Sequence, residues 1–324
     1  MVAYAIRRLL AAVPLLLLGI SLTFFIIHLA PGDPSDRFIS PTMSPNLKEN
    51  ITKKFGLDQP LFTQYTSWLK NVVIDFDFGK SFANGREVSE IITDAMFPTI
   101  LLSTLSLIFG IVLGTVAGVY SALKAGSKVD KVITSILLFF YSVPTFWLGL
   151  ILLGIFAIEL NWLPASQISS IFHERLGFFG KISDYFTHLL LPVFTLGITT
   201  APIFGRFVRS SMIEILNSDF IISARSRGLS ERKVIFGYGF RNALLPVISL
   251  IGNSIPALFS GAVVVEVIYS LPGMGRVMVD AALGRDYPMI MAAGTVAFIS
   301  VIIGNLLADL GYAAADPRVR LGGE

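Results

Sequence analysis

Apolar residues in this chain run in long unbroken stretches rather than alternating with polar ones. Six stretches, approximately Leu9–Ala30, Ala95–Leu123, Val132–Leu160, Phe186–Val208, Asn242–Tyr269 and Tyr287–Tyr312, are almost free of charge. A hydrocarbon core of ~30 Å takes about 20 apolar residues in α-helix, so each stretch predicts a transmembrane helix. A membrane barrel would show alternating segments of roughly ten residues instead. The predicted fold is therefore all-α, an integral membrane protein of six transmembrane helices with an insertion between helices 1 and 2. Arg7 and Arg8 before the first stretch resemble the start of a signal peptide. However, the stretch outruns a signal core and no A-x-A cleavage site follows, so it reads as an uncleaved first helix.

Composition agrees. Hydrophobic residues make up 54% of the 324 residues and charged ones 15%, against roughly 25% charge in a soluble domain. The mean hydropathy is +0.73. So few charges do not cover a water-facing surface, which excludes a soluble enzyme, a nucleic-acid-binding domain and a disordered regulator. With no cysteine, thiolate chemistry and disulfides are excluded. His28, His173 and His188 stand at no metal-ligand spacing, so no metal site is expected.

Charge placement sets the topology. With a cytoplasmic N-terminus, short loops and tails on the inside carry Lys124, Lys128, Lys131, Arg225, Arg227 and Arg318 among others, whereas those outside hold only Arg175, Lys181, Arg276 and Arg285. Both termini are then cytoplasmic. The expected organisation is a tail and first helix over 1–30, an extracytoplasmic segment over 31–94, a five-helix core over 95–313 containing a cytoplasmic loop over 209–241, and a tail over 314–324. The amphipathic stretch Gln59–Val73, with Tyr65, Trp68 and Leu69, predicts a small folded cap.

Within the spans, Gly110, Gly114 and Gly118 repeat every four residues, on one helix face. They read as a helix-packing surface or as part of a moving interface. Prolines 14, 98, 144, 192, 202, 246 and 256 lie in or near spans and tend to kink them. Glu266 and Asp309 lie near span ends, either as intramembrane functional carboxylates or at the interface. No ladder of acidic groups crosses the membrane, which counts against an ion-coupled secondary transporter. Nor does a catalytic cluster emerge from the spacing of the carboxylates. Gly79-Lys80-Ser81 resembles the end of a phosphate-binding loop, but Ile74 stands where the first glycine belongs, and no nucleotide site is expected in this chain.

The loop after span four is the most informative stretch. Around Asp219–Phe236, Asp219 predicts a helix cap, Gly228 a left-handed helix end, and Ser230 with Glu231 the start of a second helix. Two short helices joined at a glycine elbow follow. Phe220, Ile221, Ile222, Val234 and Ile235 need a partner or the protein's own underside to cover them. The other reading is a basic loop lying on anionic lipid headgroups.

This loop resembles the E-A-A-x-x-x-G coupling motif of ABC-transporter permeases. Ser223 and Ala224 occupy the alanine positions, and Gly228 is the motif glycine; Ile222 replaces the glutamate. Ala224-Arg225-Ser226-Arg227-Gly228-Leu229 and Arg241-Asn242-Ala243 are similar to the dipeptide/oligopeptide/nickel permease subfamily. Tyr238 and Gly239 replace its His-Ala. So are Leu29–Pro34, Phe55–Pro60, Asp77–Ser81, Leu271–Arg276, Arg285–Pro288 and Asp316–Arg320, in order along nearly the whole chain.

The resemblance implies a type I importer permease in the cytoplasmic (inner) membrane of a bacterium or archaeon, as the first of two homologous permease subunits. Two ATPase subunits below and an extracytoplasmic solute-binding protein complete the assembly. ATP and Mg belong to the ATPase partners, and this chain carries no cofactor. Ser223, Ala224, Arg225, Arg227, Gly228 and Leu229 are the implied ATPase-coupling residues. The implied cargo is a dipeptide or oligopeptide, with a nickel chelate as the alternative. A secondary transporter or channel is the alternative from another class.

Overall fold

The computed structural model describes residues 2–29, 58–244, 247, 250, 251, 254 and 263–315. Among them the chain is helical, with no strand beyond an isolated bridge between Lys80 and Glu87. Helix α1 is Val2–Leu29, and α2, Leu61–Lys70, continues through a π-helical turn, Asn71–Asp75. Helix α3 is Val88–Leu123, so residues 88–94, placed by sequence in the outer segment, form its first turns. Helices α4, Lys128–Ser142, and α5, Thr145–Leu152 with π-helical Leu153–Glu159, precede the long α6, Phe178–Leu216. Helix α7 is Asp219–Ser226. A π-helical segment, Lys233–Phe240, leads into α8, Arg241–Ala243. Helices α9, Val263–Ile268, α10, Met274–Leu283, and α11, Tyr287–Ala315, follow.

The centre of the bundle is the contact between α3 and α6. A Cβ at Gly110 would lie 3.0 Å from the Gly197 carbonyl oxygen, and one at Gly118 would lie 2.5 Å from that of Gly205. At Gly114 the Ala201 carbonyl already fills the space. Only hydrogen fits at these positions, so the two backbones touch directly. Without a hydrophobic drive between helices in lipid, such close van der Waals approach is a main source of association. The matched positions rise together along both helices, so α3 and α6 run parallel.

Parallel helices require the intervening chain to return. Helices α4 and α5 are bent by 97° at their junction, where Val143 is extended before Pro144. Asp130 meets Arg209, Leu137 packs on Gly205, Gly149 faces Thr195, and Ala157 clusters with Leu189 and Leu191. The pair therefore descends the length of α6 in the opposite direction as one broken crossing. Prolines 14, 98, 192 and 202 sit inside continuous helices instead.

Among the described residues four helices are long and apolar enough to cross a membrane, or five if the bent pair counts as one. The middle of the expected span 242–269 lies outside the described residues, as do Asn253, Pro246 and Pro256. Its two ends lie at opposite ends of the bundle. Ala243 and Val247 pack with Phe204, Val208 and Met212, while Val265 and Tyr269 pack with Leu102 and Leu189. Helix α11 runs antiparallel to α1, with Gly19 against Phe298 and Gly294 against Thr23. Helix α2 docks on α1 through Tyr65 and Trp68 around buried Phe24, and the Tyr65 hydroxyl bonds Ser21 at 2.7 Å.

At the end bearing α2, two buried carboxylates tie distant segments. Asp286, 2% exposed, accepts hydrogen bonds from Ser81 Oγ at 2.5 Å and the Phe82 and Ala83 amides at 3.0 and 3.1 Å. Asp77–Ser81 and Arg285–Pro288 are thus two halves of one joint, and Gly79-Lys80-Ser81 belongs to it. Glu266 is fully buried rather than interfacial. It accepts from Thr99 Oγ1 at 2.7 Å and the Arg276 amide at 3.1 Å, and Thr99 Oγ1 accepts from the Met274 amide at 2.8 Å. A Cβ at Gly273 or Gly275 would collide with this carboxylate. Leu271–Arg276 is therefore a cradle shaped around one acidic side chain.

Gly114→Ala is expected to destabilise the solubilised protein by about 1–3 kcal/mol through overpacking, read as a lower thermal midpoint. Gly154→Ala, with open space around it, should leave the midpoint unchanged or slightly raised.

Candidate functional site

The loop that sequence singles out forms a compact elbow at the foot of α6. Helix α6 ends at Leu216, and Ser218 directs its hydroxyl to the Ile215 carbonyl at 2.5 Å. Ser218, not Asp219, occupies the cap position of α7, and Asp219 stands in the first turn, where its charge favours the helix N-terminus. Helix α7 closes at Gly228, with φ +78°. The Gly228 amide donates to the Arg225 carbonyl at 2.9 Å, and the Leu229 amide donates to the Ala224 carbonyl at 3.4 Å. These two bonds make a Schellman turn, which places a left-handed residue after the helix and so favours glycine. The second arm starts at Ser230, whose carbonyl accepts from the Val234 amide at 3.0 Å.

Packing fixes the angle between the arms. Ile221, Ala224 and Val234 are fully buried, with Ile215, Leu229 and Tyr238 around them. Gly239 lies where a Cβ would press on Leu216 at 3.1 Å, bringing the second arm onto the end of α6. Arg225 braces the outside, its Nε donating to Glu231 Oε1 at 2.9 Å across the elbow. Arg227 Nε reaches back to the Ser223 carbonyl at 3.4 Å.

The six residues picked from sequence therefore divide. Ala224 faces inward as core, and Leu229 is half-buried against it. Ser223, Arg225, Arg227 and Gly228 face outward. Of the apolar residues needing cover, the elbow hides Ile221 and Val234 itself. Phe220 and Ile222 stay 45% and 53% exposed, joined by Phe236 at 53%. The elbow thus exposes aromatic and aliphatic groups as well as arginines.

One group that holds this site was not visible in sequence. Arg209, in the last turns of α6, donates through Nε and Nη2 to the two carboxylate oxygens of Asp130, both at 2.8 Å. Asp130 also accepts from Ser121 Oγ at 2.5 Å and from the Gly126 amide at 2.9 Å. Ser127 caps α4 on the Asp130 amide. The clamp joins α3, α4 and α6 at the end from which the elbow hangs. Asp130 and Arg209 are 79 residues apart, so no local pattern links them.

The histidines serve the other end. His173 Nδ1 lies 2.7 Å and His188 Nδ1 3.3 Å from the two oxygens of Asp184. Among the described residues no group of three acidic or histidine side chains could hold a metal.

Removing Asp130 leaves Arg209 without its counter-charge. Asp130→Ala should cost about 3–5 kcal/mol and be seen as loss of folded protein in detergent, with Asp130→Ala/Arg209→Met recovering part of it. Glu231→Gln, at an exposed pair, should change stability by less than about 1 kcal/mol.

Residues 110–321 match the family described as binding-protein-dependent transport system inner membrane component, and residues 1–106 match its N-terminal membrane component. The oligopeptide transport system permease protein AppB of Bacillus subtilis is 40% identical over 320 residues, 98% of this chain and 99% of that protein. The glutathione transport system permease protein GsiC of Escherichia coli K12 is 34% identical over 99% of each chain. Among solved structures, the MetNI methionine ABC transporter in an inward facing conformation aligns with a TM-score of 0.54 at 14% identity, covering 70% of this chain and 97% of that one. An amino acid ABC transporter crystallised with histidines aligns at 0.51 and 15% identity, over 70% of this chain and 94% of that one. The fold is that of type I importer permeases, and this chain belongs to the binding-protein-dependent transport system inner membrane components, as a non-catalytic permease subunit of an ABC importer.

Proposed function

We propose that this chain is the first of two homologous permease subunits in a peptide importer, coupled to two ATPase subunits through the elbow at Gly228. In this reading both termini and the elbow are cytoplasmic, and the α2 end faces the solute-binding protein. ATP and Mg stay in the ATPases. The observation that carries it is the outward face of the elbow. The elbow exposes Phe220, Ile222 and Phe236 as well as Arg225 and Arg227, while its own interior is already filled. Apolar groups exposed on a rigid projection suit a groove in another protein better than a headgroup layer.

The mechanical consequence follows from the packing. The elbow is a short rigid body with a filled core and an external ion pair. It joins α6 through the two-residue link Asn217-Ser218 and the Gly239–Leu216 contact. Helix α6 is in turn locked to α3 by glycines and to α4 by Arg209 and Asp130. Displacing the elbow therefore moves α3, α4 and α6 together. ATP-driven closure of the ATPases would bias such a unit between inward- and outward-open arrangements, a two-state element set by a ligand bound elsewhere. A peptide cargo is favoured by the two named relatives, whose cargo is oligopeptides in one case and the peptide glutathione in the other.

Gly228→Asp in the reconstituted complex is the direct test. A non-glycine residue at this φ costs about 1 kcal/mol or more, and a carboxylate enters a basic patch. Substrate-stimulated ATP hydrolysis and peptide uptake should both fall at least tenfold. Unchanged rates of both would sink the coupling role.

A further inference from the structure

Two arginines one helical turn apart on α6 are treated differently by the fold. Arg209 is paired with Asp130. Arg206 has no ion-pair partner among the described residues. Its guanidinium instead lies over the ring of Tyr141, 5.9 Å from the centroid. Arg206 is exposed, and Tyr141 is 54% exposed.

The direction of the side chain is informative. Side chains lean toward the N-terminus of their own helix, which on α6 is away from the elbow. Tyr141 lies three turns along α4 from Asp130, which marks the elbow end. Arg206 thus carries its charge inward along the apolar span, whereas a snorkelling arginine turns back to the nearest aqueous boundary. Arg206 lies ten residues before the end of α6 at Leu216, nearly three turns inside the helix. Ile203, Arg206, Phe207 and Ser210 fall on one face at helical spacing, and all four are exposed, so no other described part of the chain covers that face. Tyr141 lies just before the Val143–Pro144 break, where the crossing bends by 97°.

A charge at this depth is disfavoured against lipid tails and is characteristic of substrate pathways. The headgroups of the nearer leaflet lie on the side from which the group turns away. The cation–π contact holds the guanidinium near Tyr141 without pairing its N–H donors with a carboxylate. A fork of parallel N–H donors matches a carboxylate in bidentate geometry.

We infer that Arg206, braced by Tyr141, forms a carboxylate-binding subsite on the translocation path, receiving the free carboxylate of the transported peptide. This rests on the peptide-importer reading above. The contact is exposed and lacks a second counter-charge, so it holds the substrate weakly enough to release it.

The test compares uptake of one peptide with a free C-terminus and of its C-terminal amide by the complete reconstituted complex. Wild type and Arg206→Gln are measured at equal amounts of assembled transporter. The binding protein is common to both, so its own preference cancels in the ratio of variant to wild type. Arg206→Gln should lower uptake of the free acid by about tenfold, the contribution of one charge-assisted hydrogen bond, and change the amide by less than about twofold. Arg206→Lys keeps the charge but not the fork, so its smaller loss should again be confined to the free acid. Should Arg206→Gln fail to assemble, Arg206→Lys carries the same comparison. Equal losses on both peptides, as a structural or lipid-binding arginine would give, or no loss on either, overturn the subsite alone. An assembled wild-type complex that hydrolyses ATP yet imports neither peptide overturns the peptide reading and the subsite with it.

Discussion

The rest of the molecule depends on how closely two parallel backbones approach each other. Gly110, Gly114 and Gly118 on α3 meet Gly197, Ala201 and Gly205 on α6 with no room for a side chain between them. This contact fixes the distance between the two helices, because a Cβ at any of the three glycines on α3 would press into the opposing backbone. Once the pair is parallel, the chain between them must cross back, and the broken α4–α5 crossing lies along α6 to do so. The Arg209–Asp130 clamp and the elbow then occur where that arrangement ends.

Much of this was legible in sequence, for physical reasons that also explain what was not. Long apolar runs reveal spans because lipid excludes charge over a fixed thickness. Gly228 reveals its turn because few other residues tolerate φ +78°. The break at Pro144 was not separable from Pro98, Pro192 or Pro202. In all four a ring removes one backbone donor, and only the surrounding packing decides whether the helix continues. Glu266 near a span end left open an interfacial position. Its burial depends on Thr99, 167 residues earlier, and on two glycines that leave space for it. The outward and inward faces of the elbow were likewise undecided until Val234 closed over Ile221 and Ala224.

Three buried acids share one device. Asp130 lies in the first turn of α4, Asp286 precedes α11 and accepts from the Met289 amide, and Glu266 reaches the first turn of α10. The Asp286 and Glu266 carboxylates meet amides that a helix start leaves unpaired, and Asp130 stands in a first turn, where the helix dipole also favours negative charge. A chain this poor in charge places several of its acids where the backbone changes direction, and each one joins segments far apart in sequence. The low charge fraction is therefore uneven in use: basic groups cluster around the elbow, and buried acids pin the turns.

The Ser81–Asp286 joint also has a consequence in time. Its two halves are 205 residues apart. At roughly 5–20 residues per second of synthesis, the Ser81 segment emerges about 10–40 s before its partner exists. The α2 end of a nascent chain is therefore unfastened until the last helix is being made. A product truncated before Asp286 never acquires the joint and keeps the Ser81 hydroxyl and two amides without that acceptor. The donors of the Ser81 segment thus wait on a residue made more than two hundred positions later, and the cap closes only when both have been made.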